Sequence, residues 1–171
     1  MKYVITTLLL AILLIGFIVK QPATTVQSPQ GENTDEHVYV SWDTMEFDKC
    51  LAAWLIVRFV DKDAQFRFVP KGTELIEGIP FDIPGADWAR KHRTCTSQYV
   101  LELIDDPDPT IERIVSIAAQ IELNFWQLDR FPEAQECFYK AEEIIDQTPD
   151  STKCFEKMCS YFDGLYRDFK N

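Results

Sequence analysis

The chain has 171 residues, with 28 acidic against 17 basic side chains and a formal net charge of −11. This balance argues against nucleic acid as a partner, because duplex binding draws on clustered Lys and Arg. Hydrophobic residues make up 46% and aromatics 13%, enough for a packed core and too much for a disordered chain.

The first segment, "MKYVITTLLLAILLIGFIVKQ", runs uncharged from Tyr3 to Val19. Seventeen residues is the lower edge of a membrane-spanning helix, for which ~20 is usual. It exceeds the apolar stretch of a cleaved signal, and no Ala-x-Ala site follows. Residues 1–20 are therefore expected to form an uncleaved single-pass anchor, with Lys2 on the cytoplasmic side and the body on the external or periplasmic face of the inner membrane. If the segment is cleaved, the body is released as a periplasmic or secreted protein. Residues 21–36, "QPATTVQSPQGENTDE", carry Pro, Gly and small polar residues and read as a flexible linker. Setting aside Lys2 and Lys20 leaves 15 basic against 28 acidic groups, so the body is expected to stand off an anionic bilayer.

Residues 37–171 read as one globular domain. "HVYVSW" (37–42) is β-branched and aromatic and predicts a strand. Asp43 with Glu46 three positions on predicts a capping box for the helix that follows. Phe47, Cys50, Leu51, Trp54 and Leu55 give that helix one apolar face. "QFRFV" (65–69) and "GIPFDI" (78–83) predict two further strands. Four helices follow: "TSQYVLELI" up to the stop "DDPDP", then 110–126, 131–145 and 151–169, with Pro132 and Pro149 at starts or breaks. The fold class is α+β: a helix-dominated domain whose small N-terminal sheet (strands near 37–42, 65–69 and 78–83) precedes four helices.

Chemistry is sparse. There is no nucleophile elbow, phosphate loop or HExxH, and His37 and His92 form no metal-ligand pattern. The pattern favours a binding role over catalysis without deciding between them, and the cofactor stays unknown. "DDPDP" reads as helix-capping Asp residues between Pro stops. Five cysteines, at 50, 95, 137, 154 and 159, include no Cys-x-x-Cys, and Cys50 falls on its helix's apolar face as a small buried hydrophobe. The exception is Arg90-Lys91-His92-Arg93, a cationic knot two residues before Cys95. Guanidinium groups suit oxyanions, and a thiol beside such charge is expected to have a depressed pKa. The alternative is an exposed loop that balances nearby acidic helices.

"FDKCLAAWLIVRFVDKDAQFRFV" (47–69), "GIPFDIPGADWARKHRTCTSQ" (78–98) and "GLYRDF" (164–169) resemble the chromate-resistance domain, the C-terminal part of chromate-sensing bacterial regulators. Trp54 to Phe59 and Pro80 to Asp82 are the most specific pieces. Relatives usually read Asp-Arg where this chain has Asp48-Lys49, and a His where it has Arg90. They read Cys-Thr-Phe-Glu where it has Cys95-Thr96-Ser97-Gln98, and a His-Asp pair at Ala119-Gln120. Residues 1–36 do not resemble the regulators' DNA-binding half, so a role in transcription is not expected of this chain.

The resemblance implies a pocket for a small oxyanion or metal species. Arg90, His92 and Arg93 would face the ligand, with Cys95 as a redox-sensitive thiol. Asp48, Lys49, Arg58 and Asp82 would line or orient the site. The alternative is a degenerate envelope interaction module, presenting Phe131, Phe138, Tyr139 and Phe155 to a protein partner.

Overall fold

The computed structural model describes residues 36–74 and 76–171. The expected anchor and most of the linker lie outside the described residues. Among the described residues, no helix is long and apolar enough to cross a membrane.

Strand β1 (Val38–Trp42) is central in a three-stranded parallel sheet, with β2 (Gln65–Val69) on one side and β3 (Ile79–Pro80) on the other. Val38 pairs with Gln65 and Trp42 with Val69, while Tyr39 pairs with Ile79. Parallel neighbours need a crossover, and α1 (Phe47–Leu55) supplies it between β1 and β2. Gly78 is required where β3 meets β1: its φ is +113°, and a Cβ there would lie 2.6 Å from the Val38 carbonyl oxygen. Four helices follow, α2 (Thr96–Leu101), α3 (Pro109–Leu123), α4 (Pro132–Asp146) and α5 (Ser151–Lys170), with a short 3₁₀ segment, Phe125–Arg130, between α3 and α4. The α+β architecture is as the sequence predicts. Asp108, inside "DDPDP", caps α3 by accepting the Thr110 N–H at 2.8 Å.

Three local expectations fail. The first helix begins at Phe47, and the Asp43–Glu46 box does not form. Asp43 instead accepts the Lys71 N–H at 3.1 Å, so a contact 28 residues away outcompetes the local cap. The third strand stops at Pro80, because Asp82 turns the chain with φ +51° and its N–H donates to the Trp88 carbonyl at 2.7 Å. Finally, α1 is not amphipathic in place. All nine of its residues are buried, Asp48 and Lys49 included, since α2, α3, α4 and α5 pack around it.

The last turn of α1 widens over Ile56–Val60, where the Asp61 N–H reaches back five residues to the Ile56 carbonyl at 2.8 Å. This turn directs Phe59 and Arg58 toward α5. Trp54 packs against Phe59, Phe162 and Tyr166 with ring centroids 5.2, 5.8 and 6.2 Å apart. The Trp54–Phe59 and Gly164–Phe169 pieces that carry the resemblance are thus two sides of one helix-docking contact.

Candidate functional site

The site grows from the buried polar pair on α1. Asp48, only 3% exposed, accepts the backbone N–H groups of Thr96 (2.7 Å) and Ser97 (3.0 Å), the first two residues of α2. Two of α2's initial donors, which have no partner within the helix, are thereby satisfied. Burial pushes the Asp48 pKa up, and the bonds from Ser97 and Thr96 pull it back.

Lys49, 2% exposed, donates its ammonium to the carbonyls of Trp42 (3.0 Å) and Thr44 and faces Asp82 Oδ2 at 3.6 Å. Asp82 also accepts the Thr96 hydroxyl at 2.6 Å. Burial raises its pKa to about 6, against the opposing pull of Thr96 and Lys49.

Arg90 closes this side by pairing with Glu122 of α3. Together Asp48, Lys49, Asp82, Arg90 and Glu122, with Trp42, Thr44, Glu46 and Lys71, line a hollow of about 180 Å³. The indole N–H of Trp42 is buried and has no acceptor among the described residues.

The other expected residues lie apart from this hollow. Arg58 grips Asp163 of α5 with two bonds, 3.0 and 2.8 Å, and Asp163 also accepts the Trp54 indole N–H at 2.8 Å. Its role in the structure is to hold α5. All four residues of the knot are exposed, and only Arg90 reaches across to the hollow, through its pair with Glu122, while Lys91, His92 and Arg93 lie on the turn before Cys95.

Cys95 is buried, and the expected depressed pKa is not found. Burial and the nearby Asp48 push the thiol up to about 12, and its S–H donates to Gln98 Oε1 at 3.1 Å. Gln98 also accepts the Cys95 N–H at 2.9 Å. A thiol so held is a structural donor at the start of α2. All five cysteines are buried and unpaired by disulfides.

Sequence reasoning missed Glu46, Lys71 and Glu122. Glu122 had one usable signal, since it lies one turn beyond Ala119, where relatives carry their polar pair. It also missed that His37, Asp61 and Asp63 gather with ligating atoms within 4.8 Å. There His37 donates to Asp61 at 2.8 Å, an ion pair that raises the His37 pKa. Of the rings expected to face a partner, Phe131 and Phe155 pack on the core and Tyr139 is exposed.

A family model described as "ChrB, C-terminal domain" matches residues 39–169. No curated protein and no solved structure matches the chain. The matched span takes in all of the sheet and helices but Val38 and Lys170, and every residue lining the hollow, so the chain belongs to the chromate-resistance family through its ChrB C-terminal domain.

Proposed function

We propose that this domain serves a chromate-resistance-related role by binding a small tetrahedral oxyanion in the hollow beside α1. The observation that carries this reading is a hollow that gathers three cationic side chains, Lys49, Lys71 and Arg90, in an otherwise acidic chain. Forked guanidinium and ammonium donors suit the oxygens of a small oxyanion. Two of the hollow's carboxylates are already engaged: Asp48 by the start of α2, and Glu122 by Arg90. The family supplies the context of chromate. Relatives, as the resemblance has it, use a histidine where Arg90 stands. The guanidinium gives this chain a permanent charge at that position, which favours anion capture over metal ligation.

Calorimetric titration of the full chain in non-ionic detergent with chromate and with sulfate tests the reading. Saturable binding at millimolar concentration or tighter is expected, weakened about tenfold by Arg90→Ala. No heat up to ~10 mM of either anion would overturn it.

We also propose that residues 3–19 tether the domain to the inner membrane with the hollow on the outer side. The support is the uncharged run and the polar linker after it. Alkaline extraction of membranes and protease accessibility in spheroplasts test this. Release of the intact chain by alkali, or its full protection from external protease, would count against it.

A further inference from the structure

Beside the first hollow, and sharing Glu46, Arg90 and Glu122 with it, lies a second groove of about 310 Å³ whose aromatic walls the oxyanion reading does not use. Its walls are aromatic. Phe125 stands nearly perpendicular to both Trp126 (85°, centroids 6.0 Å) and Phe138 (76°, centroids 5.6 Å). Trp126 is 88% exposed and Phe125 52%, an unusual investment of aromatic surface in water on the 3₁₀ segment between α3 and α4.

The polar part of the lining is acidic. Glu46, Glu122 and Glu142 face it against one cation, Arg90, which is already paired with Glu122. Among the described residues neither Glu46 nor Glu142 makes an ion pair. Partial burial raises the Glu142 pKa, and the negative charges of Asp146 and Glu46 push it further the same way. These carboxylates are short of a counter-charge.

We propose that this groove binds a small organic ammonium ion, its alkyl groups against Phe125, Trp126 and Phe138 and its charge met by Glu46 and Glu142. Rings at right angles present their electron-rich faces from two directions, which is how aromatic cages hold quaternary ammonium groups. An anion would meet uncompensated carboxylates. A neutral apolar ligand would leave them desolvated without return. A groove of this volume matches the lower end of small-ligand sites and is far smaller than a protein interface requires. The groove shares Glu46, Arg90 and Glu122 with the first hollow, while Trp126 and Glu142 line the groove alone and so separate the two readings.

The test is calorimetry on the full chain in non-ionic detergent, at constant ionic strength, with choline and with 3,3-dimethyl-1-butanol. The alcohol has the same shape with carbon in place of the charged nitrogen. Choline is expected to bind saturably in the millimolar range or tighter, at least tenfold more tightly than the alcohol. Trp126→Ala, at a position too exposed to support the core, should weaken choline about tenfold, and Glu142→Gln several-fold, with sulfate binding untouched by Trp126→Ala. Equal binding of choline and the alcohol would reduce the groove to a greasy surface. No saturation by ~50 mM choline, or Trp126→Ala binding choline as well as the parent, would equally sink the proposal.

Discussion

The Asp48 carboxylate touches no ligand-facing group directly, yet both its oxygens are committed to the backbone of α2. Asp48→Ala removes the acceptor and orphans two buried N–H groups. A loss of about 3 kcal/mol is expected in urea unfolding, and less for Asp48→Asn, which keeps one oxygen. Asp82 makes a pH-dependent contribution of opposite sign to the usual carboxylate. Its folded pKa of about 6 lies above the ordinary 3.8, so the native state holds a proton that the unfolded state has released. Stability from this group is therefore fully present below about pH 4 and is lost as pH rises through about 6. Relative to Asp82→Asn, the parent should lose on the order of 2 kcal/mol between pH 4 and pH 7.5, measured as urea midpoints. A flat difference across that range would contradict the burial assigned to Asp82. The resemblance marked both carboxylates as site residues, but the burial of Asp48 was not legible beforehand. The spacing of Phe47, Cys50, Leu51, Trp54 and Leu55 marks one apolar face and so puts Asp48 and Lys49 on the wet side. Only the packing of the later helices around α1 buries them.

Helices and strands were far more legible than their ends. The five-residue strands β1 and β2 and the three long helices α3, α4 and α5 follow from hydrophobic period and proline punctuation. The start of α1 and the length of β3 did not, since each is decided by a distant partner, the Lys71 N–H for Asp43 and the Trp88 carbonyl for the chain at Asp82. The widened turn at Ile56–Val60 was equally invisible, although the Trp54-to-Phe59 residues that depend on it stand out in the sequence. That turn leads to a prediction about helix docking. Asp163 of α5 holds both the Trp54 indole and the Arg58 guanidinium. Asp163→Ala leaves a largely buried indole N–H without its acceptor and should cost about 2 kcal/mol in thermal or urea unfolding. Arg58→Ala should cost under about 1 kcal/mol, because its guanidinium is solvent-exposed and Asp163 retains Trp54. Equal losses would mean that the ion pair, and not the indole bond, docks the helix.

At the scale of the whole domain, the contiguous core gathers Cys50, Cys137, Cys154 and Cys159 with the aromatic and aliphatic side chains of α1, α3, α4 and α5, while Cys95 is buried beside it. Sequence pattern anticipated burial for Cys50, and it suggested a reactive thiol next to Arg90. The fold places Cys95 under α2's first turn with its hydrogen on Gln98, so proximity in sequence to the cationic knot does not become exposure to it. Burial is the largest influence on all five thiols and moves every one upward, Cys95 and Cys159 to about 12. At pH 8 almost no thiolate exists in the native state, and a disulfide reagent must wait for the domain to open. The full chain in non-ionic detergent is therefore expected to react with an aromatic disulfide at least ~100-fold more slowly than in ~8 M urea. The five thiols should be released together at a rate that tracks unfolding. A single thiol reacting ahead of the rest, and lost in Cys95→Ser, would restore Cys95 as an accessible redox group. Five thiols reacting as one would show that sheet and helices open as a single cooperative unit, with the hollow beside α1 part of the same rigid body.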